Sequence, residues 1–415
     1  MIRRIRVQNF MSLHDTTVDL GRLTIFIGPN ASGKSAVFKA LVTLARLFHS
    51  APVRGPSGDF YLEPGVGFDS LVWRGDAGLP IVFQVWSEED NDEEPWYTLM
   101  LKKYAPGWSV SRERIKMPDG SWFDTDERTL QHETEKRGTR VWSIPNRALI
   151  THLVHQYRND QAALPAIADF LNIPARFGEV WRYRPSADDI ASFAPASPAP
   201  TSSKPLAEQE SKSRKIYVHE NGSGLAQALE TLLGSERRIF NEIEKELQRI
   251  FPHIRFINFD RGPLGTRISF MTDRSNEKVT APQESDGVLL TLFLLWRLYT
   301  AAPSFVTCLE EPENGTHPYL LGERYQLLRR FAHGEAGNEP IQLLVATHSP
   351  DFLCAIEDRQ ELLESIRVVE FDHQGGTMIH TLKDVNQIDK LLQVFNGNIG
   401  EMWWSGAIGA IPGGR

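Results

Sequence analysis

The apolar positions along the chain first predict strands and one helix. Met1-Ile2-Arg3-Arg4-Ile5-Arg6-Val7 reads as a first strand, and Leu23-Thr24-Ile25-Phe26-Ile27 is a short apolar, β-branched run of buried-strand length. Val37, Leu41, Leu44 and Phe48 then recur at helical spacing. Between residues 68 and 108 three segments, Leu71-Val72-Trp73, Ile81-Val82-Phe83 and Tyr97-Thr98-Leu99, predict antiparallel strands. The acidic run Glu88-Glu89-Asp90-Asn91-Asp92-Glu93-Glu94 between two of them reads as a solvated hairpin loop. A helical stretch is expected over 147–171. Residues 191–215, rich in Pro, Ala and Ser and then charged, read as a disordered loop with too little apolar content to join a core. Over 224–251, Leu229, Leu232 and Leu233, then Ile239, Ile243 and Leu247, give each of two helices one buried face. An apolar helix is expected over 288–298, with buried strands at Phe305-Val306-Thr307-Cys308-Leu309 and Ile341-Gln342-Leu343-Leu344-Val345-Ala346-Thr347.

This pattern gives meaning to what lies between the second predicted strand and the first predicted helix. Gly28-Pro29-Asn30-Ala31-Ser32-Gly33-Lys34-Ser35 is a complete Gly-x-x-x-x-Gly-Lys-Ser phosphate loop. In a strand–loop–helix context the backbone N–H groups of such a loop and the helix N-terminus face the phosphates. Lys34 then reaches the β and γ oxygens, and the Ser35 hydroxyl ligates Mg²⁺. The expected ligand is a nucleoside triphosphate.

Composition narrows the partners. The 415 residues suffice for two or three average domains or one large α/β domain with insertions. No apolar stretch reaches the roughly 20 residues of a membrane span, and the arginines of the N-terminus are followed by no apolar run of a secretory signal. Two distant cysteines, Cys308 and Cys354, make no Cys-x-x-Cys pair, which points to a reducing cytoplasm. Cys308, inside an apolar run, reads as a small core residue. The formal net charge of −8 argues against a broad duplex-gripping face. A local patch of Arg3, Arg4 and Arg6 is the remaining route to DNA, with an exposed strand face as the plainer reading. His152 and His155, one helical turn apart without a third ligand, read as ordinary helix residues.

Three later fragments carry candidate chemistry. The strand ending at Leu309 leads into Glu310-Glu311-Pro312-Glu313, and a paired acid at a strand's carboxyl end suits metal binding by one carboxylate and water activation by the next. The strand ending at Thr347 leads into His348-Ser349-Pro350, where a histidine can hydrogen-bond a γ-phosphate. Glu284-Ser285-Asp286-Gly287 precedes the apolar helix as a second anion-binding cap. Taken singly, each has a plain alternative: a solvent-facing acidic pair, a capping histidine, an ordinary N-cap. It is their order behind an intact phosphate loop that gives them weight.

That order resembles the ABC-type ATPase heads of the SMC, RecF and OLD group. Val7-Gln8-Asn9-Phe10-Met11-Ser12, Glu310-Glu311-Pro312-Glu313-Asn314-Gly315-Thr316-His317-Pro318, Ala346-Thr347-His348-Ser349-Pro350 and Asn398-Ile399-Gly400-Glu401-Met402-Trp403 look like its stand-alone branch near bacterial defence and repair genes. The resemblance implies an α/β P-loop NTPase fold, with an antiparallel β subdomain, a helical signature lobe and no coiled coil. It implies one composite head over 1–415. Residues 1–180 would carry the phosphate loop and β subdomain, and 216–415 the signature, acidic strand and histidine. Asn30, Ala31, Ser32, Gly33, Lys34 and Ser35 become the nucleotide contacts, with Ser285 and Gly287 as the signature that reaches ATP held by a second subunit. Glu310 becomes a ligand of Mg²⁺ beside Ser35, Glu311 the catalytic glutamate, and His348 the switch histidine. Asn314 and Gly315 take the D-loop position.

Three departures stand out. Glu310 replaces the usual Asp, Met11 stands where relatives often carry a base, and no Q-loop glutamine is fixed by motif, Gln84 and Gln156 being the candidates. The stretch after His348 is too short for an appended TOPRIM nuclease. The resulting expectation is a cytoplasmic, ATP-hydrolysing switch that dimerises around ATP and works with a nuclease or other effector protein, with DNA contact possible and no membrane contact. The competing expectation is a self-contained ATP-gated nuclease, for which Asp372, His373 and His380 are candidate metal ligands, although Phe371-Asp372-His373-Gln374-Gly375-Gly376 reads better as a strand and turn.

Overall fold

The computed structural model describes residues 1–49, 53–54, 60–61, 67–88, 94–104, 107–116, 122–125, 129–134, 138–143, 180–193, 218–273, 278–303, 306–335, 339–356 and 358–409. The expected helix at 147–171, with His152, His155 and Gln156, lies outside them, as do residues 194–215 of the expected loop. Ala191, the first residue assigned to that loop, instead closes the helix Ala187–Ala191 and is buried. The chain divides into two compact units. One comprises Met1–Arg182, Pro303–Cys308 and Ala332–Arg415, the other Tyr183–Ala302 and Leu309–Phe331.

The first unit is built on two sheets. An antiparallel one runs, edge to edge, Gly138–Ser143, Thr129–Thr134, Trp122–Thr125, Gly107–Lys116, Tyr97–Tyr104, Ile81–Ser87, Ile2–Phe10 and Leu13–Asp19. In the first strand Ile2, Ile5, Val7 and Phe10 are all buried; their spacings of three break strict alternation, and a register shift between Ile2 and Arg4 and the turn of Asn9 to φ 57° accompany them. The strands on either side of the acidic run, Ile81–Ser87 and Tyr97–Tyr104, pair antiparallel, while residues 89–93 of the run itself lie outside the described residues. The expected strand at Leu71-Val72-Trp73 does not form. Leu71 ends a short helix, Trp73 begins a 3₁₀ turn, and only Val72 bridges, to Phe10. Arg74, at φ 54°, turns the chain there before alternation can develop.

The second sheet has the order Val180–Tyr183, Val306–Glu310, Gln342–Thr347, Leu23–Ile27, Ile366–Phe371, Thr377–Thr381. Leu23–Ile27, buried at all five positions, runs parallel to both its neighbours, as continuous apolar runs do in sheets covered on two faces. Cys308 is fully buried there, a core residue as expected. The helix Lys34–His49 carries Val37, Leu41 and Leu44 inward. It also buries Phe38, Ala40, Thr43 and Leu47, so it is covered nearly all round rather than along one face.

The arginines of the first strand form no free basic patch. Arg4 Nε lies 2.5 Å from Asp19 Oδ1, and Arg6 makes two 2.7 Å bonds to Asp15, both acids standing on the neighbouring strand.

The second unit contains the helices Leu225–Ser235 and Arg237–Ile250, where two were expected, and a three-stranded meander, Ile254–Gly262, Gly265–Thr272 and Lys278–Thr280. Its central helix, Asp286–Thr300, starts two residues before the expected 288 and buries every residue from Gly287 to Leu295. Among the described residues no helix is long and apolar enough to cross a membrane.

Candidate nucleotide site

In the first unit the strand Leu23–Ile27 delivers the phosphate loop and the helix Lys34–His49 leaves it. The loop is shaped by unusual backbone: Ala31 has φ 67° and Gly33 φ 109°. The Gly33 conformation is open to glycine, and a Cβ there would stand 2.0 Å from Thr377 Oγ1. The Thr377 hydroxyl lies 2.9 Å from the Ser32 carbonyl oxygen and 2.8 Å from the Ser12 hydroxyl, and its backbone N–H donates to the Ser12 carbonyl at 2.7 Å. One threonine therefore supports the loop from behind and ties it to the first hairpin.

Lys34 Nζ donates to the carbonyl oxygens of Gly28 at 2.7 Å and Pro29 at 2.9 Å, so the lysine arches back over its own loop. Ser32 Oγ is buried with no hydrogen-bond partner. Asn30 and Ala31 are exposed, while Lys34 and Ser35 are half-buried at the first turn of the helix. A buried unsatisfied hydroxyl, a cationic amine and a helix N-terminus on one loop form a cradle for a polyanion.

His348 belongs to this unit and follows the strand Gln342–Thr347. Thr347 is registered beside Ile27, so His348 leaves the sheet level with Gly28, and it is exposed. The structure thus brings His348 and the phosphate loop to one end of adjacent parallel strands, the end where α/β sheets bind ligands. Gln84 is registered beside Arg6 in the antiparallel sheet. Asp372 accepts from the Gln374 and Gly376 amides of the turn, as a turn residue does, and His380 Nε2 stands 3.6 Å from Glu370. No group of three His, Cys, Asp or Glu residues placed to hold a metal occurs among the described residues.

The remaining candidates belong to the second unit. Glu310 is the buried last residue of its strand. Glu311 follows at φ 50°, a conformation uncommon outside glycine and concentrated at functional sites. Its carboxylate accepts from Asn314 Nδ2 at 2.8 Å and from Arg184 Nη2 at 3.3 and 3.4 Å. Arg184 escaped the sequence reading, since nothing in Tyr183-Arg184-Pro185 marks it and 127 residues separate it from Glu311.

Ser285 is exposed and caps the helix Asp286–Thr300, its Oγ accepting from the Val288 amide at 3.4 Å. Gly287 has a reason beyond the cap: a Cβ there would stand 2.8 Å from the Gly315 carbonyl oxygen. The signature turn therefore packs directly on the turn that follows Glu311.

The profile of one protein family, described as "AAA domain, putative AbiEii toxin, Type IV TA system", matches residues 23–354, from the phosphate-loop strand to just past His348. The chain belongs to this AAA domain family. The membership agrees with the ATPase-head resemblance of the motifs, and the loop, sheet order and covering helices are those of a P-loop NTPase fold. Similar solved structures include an SmcHead bound to the C-winged helix domain of ScpA, 13% identical over 92% of this chain and 97% of that one at a TM-score of 0.44. The SMC head domain from Thermotoga maritima is 10% identical over 92% and 98%, at 0.38. A Smc head with an extended coiled coil, bound to the C-terminal domain of ScpA derived from Pyrococcus furiosus, is 12% identical over 95% and 98%, at 0.42. No curated protein matches the chain.

Proposed function

We propose that this AAA domain protein is an ATP-hydrolysing switch that pairs head-to-tail with a second copy around ATP. The observation that carries the reading is Glu311. An acid held at positive φ by two side-chain donors, directly after a buried strand, is a fixed base rather than a solvated surface carboxylate. In a chain with an intact phosphate loop, such a base orients water toward a γ-phosphate.

In this reading Asn30, Ala31, Ser32 and Gly33 offer backbone donors and the Ser32 hydroxyl to the triphosphate. Lys34 exchanges the carbonyls of Gly28 and Pro29 for phosphate oxygens. The Ser35 hydroxyl and the Glu310 carboxylate are the groups that would hold Mg²⁺, which when bound neutralises charge developing on the phosphates. His348 donates to the γ-phosphate. Ser285 and Gly287 of one copy meet the nucleotide of the other, so the pair is stable only while the γ-phosphate is present. The family's description in terms of a toxin–antitoxin system is in keeping with a role in cellular defence; action in DNA repair instead, in the cytoplasm and with a protein partner such as a nuclease, belongs to the same proposal.

The test is assembly. Light scattering of Glu311→Gln should show an ATP-dependent dimer, and Ser285→Arg should prevent it while leaving nucleotide binding to the single chain intact. Mixing Ser285→Arg with Lys34→Ala chains should restore about one working site per heterodimer, because each pocket takes its phosphate loop and its signature from different chains. No ATP-dependent assembly, together with no complementation, refutes the sandwich.

A further inference from the structure

The second unit contains a buried cation that the proposed chemistry does not use. Arg324, on the helix Leu321–Ala332, is 4% exposed. Its Nη1 donates to the Pro312 carbonyl oxygen, and its Nη2 donates to Thr291 Oγ1 at 2.6 Å. Thr291, also buried, donates in turn to the Gly287 carbonyl oxygen at 2.6 Å. One guanidinium thus links the residue just after Glu311 to the first turn of the signature helix.

Packing beside the link is incomplete. A cavity of about 20 Å³, room for one water, lies among Leu290, Phe293, Leu309, Pro312 and Arg324. Burial pushes the Arg324 guanidinium down to about 10, with the Glu313 carboxylate opposing the shift, so it is a cation at neutral pH. A desolvated cation is retained at a cost that apolar side chains would avoid, which makes a stabilising role a poor account of it. The Gly287 and Gly315 backbones touch beside it: a Cβ on Gly315 would stand 2.9 Å from the Asp286 Cβ and 3.0 Å from Leu290.

We propose that Arg324 is a positioning residue that makes the signature turn and the Glu311 loop move as one body, so that engagement of Ser285 and Gly287 sets the Glu311 carboxylate for hydrolysis. The inference rests on the reading of Ser285, Gly287 and Glu311 given above. Since the signature of a chain meets one nucleotide and its Glu311 serves the other, Arg324 couples the two sites of the pair.

Thr291→Val tests this with little change of shape, because it removes the hydroxyl that joins Arg324 to Gly287. Turnover should fall at least about tenfold, with ATP affinity within about twofold of wild type; the melting temperature should fall by several degrees at most, since one buried Arg324 donor loses its acceptor while the chain stays folded at the assay temperature. The Hill coefficient for ATP should fall toward unity. In the Glu311→Gln background the ATP-dependent dimer should persist. Arg324→Met, which loses both bonds, should fall further, and Arg324→Lys, which keeps one donor, should lie between. Thr291→Val turnover and Hill coefficient matching wild type overturn the inference alone. A turnover loss explained wholly by lost ATP binding or lost folded protein overturns it too. A wild type with neither turnover nor ATP-dependent assembly overturns the functional reading and this inference with it.

Discussion

Arg184 Nη2 stands 3.3 and 3.4 Å from the two carboxylate oxygens of Glu311, while Asn314 Nδ2 approaches one of them at 2.8 Å. The carboxylate is therefore aimed rather than merely exposed, and the aim comes from both sides. Glu311→Gln should keep ATP binding and lower kcat at least about 100-fold, whereas Lys34→Ala should lose binding itself. Arg184→Ala, which leaves only Asn314 to orient the acid, should lower kcat about tenfold at unchanged affinity. Steady-state hydrolysis and binding of a fluorescent ATP analogue separate the three, and equal rates in wild type and Glu311→Gln would remove the assigned role.

An added Cβ at Gly33 would stand 2.0 Å from the Thr377 hydroxyl oxygen and 2.7 Å from its methyl carbon. Gly33→Ala should destabilise the first unit by about 1–3 kcal/mol through backbone strain alone, with the clash against Thr377 added to it. Pairing it with Thr377→Ser, which keeps the hydroxyl and deletes the methyl group, should recover only a small part of the loss, because the hydroxyl oxygen that the new Cβ meets first remains, as does the strain at φ 109°. Urea denaturation of the single and double variants measures this.

In the antiparallel sheet, Tyr97 is 1% exposed and Glu113 fully buried, and the phenol donates to Glu113 Oε1 at 2.8 Å. Burial, and then the neighbouring carboxylate, hold the Tyr97 hydroxyl well above its ordinary value of 10.0, so it stays a donor throughout the physiological range. Tyr97→Phe removes that donor from a buried carboxylate and should cost about 1–3 kcal/mol of folding stability, with ATP affinity unchanged. A change below about 0.5 kcal/mol would mean that the carboxylate is satisfied without it.

Acid should weaken the first hairpin in a defined direction. The Arg6 guanidinium, by its hydrogen bonds, holds the Asp15 carboxyl below its ordinary value of 3.8. The folded form thus favours the ionised acid. The pair contributes stability above that value and loses it as pH falls through the lowered one. Both side chains are more than a third exposed, so the contribution should stay within about 1 kcal/mol and shrink with salt. Asp15→Asn should fall short of wild type at pH 7 and converge on it as the pH falls through the lowered Asp15 value, as read by denaturation across the acid range.

The parts legible in the sequence were those written locally. Leu23–Ile27 forms over the residues its apolar run marked, and the loop and helix follow because glycine spacing and helical periodicity are properties of neighbouring residues. The apolar helix and the two strands leading to Glu310 and His348 were legible for the same reason. The supports of the site were not. Thr377, Arg184, Thr291 and Arg324 act across sheet order and helix packing, and no spacing rule connects Thr377 to Ser32. Register likewise decides that Arg4 and Arg6 face Asp19 and Asp15, which the basic look of the first strand conceals. Leu71-Val72-Trp73 failed as a strand because three apolar residues fit a helical turn as well as a pleat.

Ser32 and Thr377 lie 345 residues apart in the chain, yet the second supports the loop that contains the first. During synthesis the phosphate loop emerges early and waits for most of the protein before its support exists. A ribosome-bound chain that stops short of Thr377 has the full Gly-x-x-x-x-Gly-Lys-Ser sequence but lacks the hydroxyl that the finished loop leans on.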